Sequence, residues 1–234
     1  MTTIAIVQSC YIPWKGYFDL IRRSDRFVLY DCVQYTTYDW RNRNRIKTAN
    51  GLHWLTVPIT YVSQTQRICD TLCADQPWQE QHWETLRHAY TKAPCFTEFA
   101  PAIEGLYQSC DQRALSEVNQ HFLTGIKALL NISTPLELLK EQIDAQGDKT
   151  EKLVAICKHY GATRYLSGPS AKAYLDFPLF EKAGIEVEWM QYEYPEYKQL
   201  HPPFTHEVSI LDVLFNTGAE ASRFSTSASA QALI

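Results

Sequence analysis

Four cations stand in one short run, Arg41, Arg43, Arg45 and Lys47, each two residues from the next. A strand turns alternate side chains to opposite faces. This spacing therefore predicts one basic face, with Asn42, Asn44 and Ile46 on the other. Like charges repel, so stability alone does not line them up. A phosphate, pyrophosphate or carboxylate would recruit several together. The competing reading is a charged, solvated edge strand that resists aggregation. Trp40 and the asparagines beside the row favour the anion site.

The row closes a stretch that begins at Gln8 and holds Tyr11, Trp14, Lys15, Asp31 and Asp39. Asp31 or Asp39 could act as general base toward an amine or hydroxyl, tuned by nearby cations and rings. Ion pairing of these acids with the arginines is the alternative. Lys15 is a candidate catalytic or phosphate-binding cation. A second polar cluster follows the RYL segment: Ser167, Gly168, Ser170 and Lys172. It is expected to open a helix, whose free amides could hold phosphate or carboxylate, although capping would also explain the serines. His201, in the rigid HPPF segment, joins the candidate substrate contacts. Cys10 ends the first strand with no histidine near it in sequence, so a buried bystander is favoured over a nucleophile. Cys69 and Cys73 lack a second ligand pair, and no metal site is expected.

The elements that must position these groups read as α/β. Thr3 to Gln8 is a buried strand, a loop punctuated by Pro13 and Gly16 follows, Gly16 to Arg23 is helical, and the next strand ends at Asp31. This βαβ unit predicts parallel pairing, with ligands beyond the carboxyl ends of the strands. Asn50-Gly51 predicts a hairpin that joins the basic strand to HWLTVPI. From Pro77 to about Gln146 the periodicity turns helical. Helices are expected over Pro77–Lys92, Pro101–Ser109 and Ser116–Leu130, with Pro135–Ile143 a short helix or a strand. Asp148 to Tyr160 is an amphipathic helix ended by Gly161. Strands are expected at Thr163–Ser167 and Ile185–Tyr192. The expected organisation is a Rossmann-like parallel or mixed sheet over 1–76 and 147–218, an inserted helical lobe over 77–146 and a fraying tail over 219–234. Lys15, Asp31, Trp40, Arg43 and Ser170 should line one cavity.

Bulk properties bound the partners. The 234 residues, 45% hydrophobic, suffice for a sizeable core. A net charge of −4 argues against non-specific nucleic-acid binding by the whole chain, though not against a local basic patch. The N-terminus lacks the pattern of a signal peptide and no apolar run is long enough to span a membrane. A soluble, cytoplasmic protein without membrane insertion is expected.

Several blocks together resemble the WbqC-like family: QSCYIPWKGYFDLI, LYDCVQYTTYDWRNRNRIKT, WLTVPI, YLSGPSAKAYL, LFEKAGIEVEW, YPEYKQLHPPF and SILDVLFNTG. The resemblance covers nearly the whole chain. It implies a place in bacterial surface-polysaccharide (O-antigen) synthesis and an aminoacyl, for example glycyl, or acyl transfer to an amino- or hydroxy-sugar. The substrate would be a nucleotide-sugar. Candidate donors are a nucleotide such as ATP, or aminoacyl-tRNA; the cofactor is unknown. The order of elements is also similar to nucleotidylyltransferase-type domains, whose first loop carries HxGH. Here Trp14-Lys15-Gly16-Tyr17 keeps the glycine and lacks both histidines, which counts against nucleotidyl transfer. A non-enzymatic module that binds RNA or a sugar nucleotide is the alternative, since interleaved Arg, Trp and Tyr also grip single-stranded nucleic acid.

Overall fold

The computed structural model describes residues 1–144 and 146–228. The first strand, β1 (Thr3–Val7), is short, apolar and buried at its centre. Helix α1 (Lys15–Arg22) leads from it to β2 (Arg26–Tyr30). Three later strands join them: β7 (Leu136–Leu139), β8 (Arg164–Ser167) and β9 (Glu186–Trp189). All neighbours are parallel, in the order β7-β2-β1-β8-β9. The fold is Rossmann-like.

Strand alternation divides the core into two layers. Ile4, Ile6 and Val28 face helix α5 (Lys149–His159) and Phe180 of α6 (Phe177–Lys182). Ala5, Phe27 and Leu29 face the other way. There they share one apolar cluster with Phe18 and Ile21 of α1, with α2 (Trp78–Tyr90), α3 (Phe96–Gln108), α4 (Leu115–Leu129), and α7 (Ile210–Thr217). Each fully buried aliphatic or aromatic side chain contributes about 1.5–3 kcal/mol, so sheet and helices stabilise one another. On the far edge, Arg164 and Arg23 pair with Glu186 and Glu188 of β9.

Some elements differ from expectation. Of the two readings of Pro135–Ile143, the strand holds: Leu136–Leu139 pairs with β2, because its alternating leucines meet Phe27 and Leu29. Helix α3 begins five residues before Pro101, since Phe96 and Phe99 are buried and extend the apolar face. The SGPS loop opens only a short 3-10 stretch, Pro169–Ala173, not an α-helix. Within the segment expected to fray, Ala221–Phe224 forms α8 and the Ser227 amide donates to the buried Asp19 carboxylate at 3.1 Å. Residues 229–234 of that segment lie outside the described residues.

The basic run forms an antiparallel hairpin of β3 (Arg43–Thr48) and β4 (Gly51–Thr56), with Arg45 opposite Trp54. Gly51 sits at φ 100°, which a side chain would strain. Two shorter strands, β5 (Ile59–Thr60) and β6 (Leu72–Cys73), pair beside it.

Candidate functional site

Connections from β1 run toward β2 and β7, whereas β8 leads the other way to β9. The sheet therefore switches direction between β1 and β8, and a crevice opens at their carboxyl ends. A cavity of about 690 Å³ occupies it. Gln8 and Trp14 reach it from the end of β1, Tyr30 and Gln34 from β2, and Ser167, Gly168 and Ser170 from β8. Among the described residues its charged lining is Arg41, Lys149 and Lys152, with no Asp or Glu. The rings of Trp14, Tyr30, Tyr174 and Tyr192 supply flat walls.

Lys149 and Lys152 lie three residues apart in the first turn of α5, hence on one side of it. The helix starts there because Asp148 accepts from the amides of Thr150 (2.7 Å) and Glu151 (2.9 Å) in a capping box. Cations at a helix N-terminus oppose the helix dipole, so helix stability does not explain them. The Lys149 ammonium lies 5.9 Å from the Tyr174 ring centre.

Arg41 closes the floor. It is buried and donates to the carbonyls of Gln8 and Ser9, each at 3.0 Å, while its Nε lacks a protein partner. Asn119 holds the Arg41 carbonyl at 2.9 Å. Asp31 is fully buried behind the wall: Oδ1 accepts the Ser9 amide at 2.8 Å, and Oδ2 has no partner. It does not line the cavity. Asp39 accepts from Thr36 Oγ1 and the Trp40 amide, both at 2.7 Å, and lies 3.5 Å from Arg41. Burial raises its pKa, but Arg41 and these donors outweigh that and hold it below the ordinary carboxylate range. These contacts tie it into the turn that leads to Arg41.

The four cations do not converge. Arg41 precedes the strand, so alternation does not govern it. Arg43, Arg45 and Lys47 do share a face, yet the 195–206 segment covers it at one end. There Lys47 Nζ donates to the Pro203 carbonyl at 2.5 Å. Arg43 and Arg45 remain outside, stacked on rings: Arg43 is 4.2 Å from the Trp54 centre, and Arg45 is 5.3 Å from both Trp54 and Trp40.

Other candidates also leave the cleft. The Lys15 ammonium is enclosed by Tyr194 (5.1 Å), Tyr197 (5.2 Å) and Phe204 (6.0 Å) and donates to the Pro195 carbonyl. Burial pulls its pKa down to about 8, against Asp212 and Glu196, which raise it. Tyr11 is a core residue: its hydroxyl donates to His82 Nδ1 (2.9 Å) and accepts from Tyr107 (2.8 Å). His82 Nε2 meets the Thr56 carbonyl at 3.2 Å, so that nitrogen carries the proton. Lys172 lies over Trp189, and His201 Nε2 donates to the Ala89 carbonyl. Burial pushes the Cys10 thiol up to about 11, which keeps it protonated. The five residues expected in one cavity therefore separate: of Lys15, Asp31, Trp40, Arg43 and Ser170, the cleft takes Ser170 alone.

A second cavity, about 430 Å³, lies beyond Trp14 and Tyr17, which line both. Its other walls include Cys10, Trp40, Arg45, His206 and Glu207. Two local features build the partition. Gly16 lets the Trp14 ring approach closely, since a Cβ there would come within 2.3 Å of it. Ile12 is held at φ 34°, a costly conformation for a β-branched residue, while Asn44 donates to the carbonyls of Tyr11 (3.3 Å) and Ile12 (3.0 Å).

Sequence reasoning missed Lys149, Lys152, Tyr30, Tyr174, Tyr192 and His206. The two lysines left a signal, a pair three apart immediately after an N-cap. The tyrosines left none, because each becomes a wall only through sheet order.

The chain matches the model of the WbqC-like protein family over residues 8–224. It is 46% identical over 223 residues to the uncharacterized protein Rv1507c of Mycobacterium tuberculosis, covering 94% of this chain and 96% of that one. No solved structure matches. No helix among the described residues is long and apolar enough to cross a membrane.

Proposed function

This chain belongs to the WbqC-like protein family, and we propose that it is a transferase of bacterial surface-polysaccharide synthesis whose anionic, nucleotide-type substrate occupies the switch-point cleft. One observation carries the reading: among the described residues Arg41, Lys149 and Lys152 line the cleft and no carboxylate does. Charge-assisted bonds from several cations suit a pyrophosphate, and the tyrosine and tryptophan walls suit a base or ribose beside it. The reaction in view is attack by an amine or hydroxyl of a sugar on an activated acyl or aminoacyl group. A nucleotide or an aminoacyl-tRNA would carry that group. Arg41, Lys149 and Lys152 would hold the phosphates, and Ser167 and Ser170 would orient them.

A second reading, a non-enzymatic sugar-nucleotide-binding module, is favoured by one observation: Asp31, Asp39 and Lys15 do not line the cleft. Calorimetric titration of ADP and UDP tests the shared premise, with binding expected to weaken in Lys149→Ala/Lys152→Ala. Absence of nucleotide binding by the native protein would sink both readings. Mass-spectrometric detection of an acylated or aminoacylated amino-sugar nucleotide separates the transferase from the module.

A further inference from the structure

We propose that the smaller cavity is a second-substrate site that takes an uncharged saccharide ring, seated on Trp40 and met at its edge by Arg45, Glu207 and His206. The inference rests on the reading of the larger cleft as the anionic site and assigns the neighbouring chamber to the partner substrate.

Size and position come first. About 430 Å³ falls within the range of small-molecule sites. The cavity shares Trp14 and Tyr17 with the larger cleft, so occupants of the two chambers would meet across one wall. Charge then selects the ligand class. Among the described residues the larger cleft has three lining cations and no carboxylate, and the smaller one a single cation, Arg45, already paired with Glu207 at 2.8 Å. Its titratable ring is uncharged as well: burial, with Lys15 nearby, holds His206 below its ordinary pKa. A neutral chamber does not attract a phosphate chain.

Shape narrows the choice further. Trp40 is 41% exposed, and its ring lies 5.4 Å from that of Trp54, which leaves an aromatic floor open to solvent. His206 Nδ1 is buried without a protein partner, and Glu207 offers acceptor oxygens at the rim. A pyranose presents C–H bonds on its faces and hydroxyls around its edge. It matches a ring floor bordered by donors and acceptors. A nucleic-acid strand would stack on the same rings, but its phosphates would pass Glu207 and the ionised Asp39.

The test uses saturation-transfer NMR on the full chain with methyl glucoside, methyl galactoside and methyl N-acetylglucosaminide. UDP serves as the probe of the larger cleft and a single-stranded oligouridylate as the nucleic-acid probe. Transfer to the ring C–H protons of at least one glycoside is expected. It should vanish in Trp40→Ala, persist in Trp40→Phe and weaken about tenfold in Glu207→Gln. UDP affinity should stay unchanged in Trp40→Ala, which also shows that the variant is folded. Silence from all three glycosides, or glycoside binding indifferent to Trp40→Ala, overturns the proposal. Steeply salt-dependent oligouridylate binding lost in Trp40→Ala overturns it in favour of nucleic acid. Glycoside binding at Trp40 without UDP binding would leave this assignment standing and refute the cleft reading instead.

Discussion

In the larger cleft the cations Arg41, Lys149 and Lys152 face no lining carboxylate among the described residues, while across the Trp14–Tyr17 wall Arg45 is paired with Glu207. The first set comes from a loop and from a helix more than a hundred residues later, brought together by a parallel sheet. The second joins Arg45 of the hairpin to Glu207, likewise distant in sequence. Arg43, Arg45 and Lys47, close in sequence, are stacked, ion-paired or covered, whereas Arg41, itself paired with Asp39, is joined at the cleft by the distant Lys149 and Lys152. The position of a charge relative to opposite charge and solvent, more than local charge density, marks the better anion site.

Arg41 should show the largest effect, because it lines the larger cleft and also holds the buried carbonyls of Gln8 and Ser9. Arg41→Ala removes the donor to two buried carbonyls and is expected to cost on the order of 3 kcal/mol in urea unfolding, along with nucleotide binding. Full stability in that variant would show that the cleft floor is held by something else.

Acid should weaken the hairpin side of the molecule. Burial holds the His82 imidazole, which bridges Thr56 of β4 and Tyr11, at a pKa of about 4 instead of 6.5. The unfolded chain takes up its proton first. Stability is therefore complete above pH 6.5 and declines as pH falls toward 4, by on the order of 3 kcal/mol for this group. Urea midpoints measured across that window should lose most of the slope in His82→Gln. An unchanged slope would assign the acid sensitivity elsewhere.

Lys149→Ala/Lys152→Ala separates function from stability. Each charge-assisted contact to a bound phosphate contributes about 1.5–3 kcal/mol, so nucleotide affinity should drop at least tenfold per lysine. The melting temperature should hold or rise, since cations leave a helix N-terminus. A large melting loss with unchanged affinity would break the contrast between the two cavities.

Gly16→Ala touches both chambers. The added methyl must displace the Trp14 ring, and UDP and glycoside binding should weaken together by several-fold. If only one changes, the wall is not shared. Arg43→Ala should do least. Arg43 lines neither cavity, and its stacking on Trp54 and Tyr38 is exposed, so a change of about 0–1 kcal/mol in stability and unaltered UDP affinity are expected. Loss of UDP binding in this variant would restore the arginine row as the anion site.

Much of the frame was legible in the chain. The apolar run at Ile4–Val7, the Asn50-Gly51 turn and the amphipathic pattern from Asp148 to Tyr160 each act through neighbours in sequence, and each formed the expected element. Strand ends near Gln8 and Ser167 were expected to meet a ligand, and both line the cleft. Partners of single side chains were not legible. Lys15 and Trp14 are adjacent, yet one is sealed among Tyr194, Tyr197 and Phe204 while the other separates two cavities. Period-two spacing correctly placed Arg43 and Arg45 on one face but could not show that Glu207, Trp40 and Trp54 would occupy it.

By itself, then, the sequence determined the α/β frame, the first parallel βαβ unit and the basic hairpin, because periodicity and turns are local. Tertiary structure alone decided which cations gather along one cleft. The field at Arg41, Lys149 and Lys152 depends on the lack of lining carboxylates among the described residues, a property of space that no spacing along the chain records.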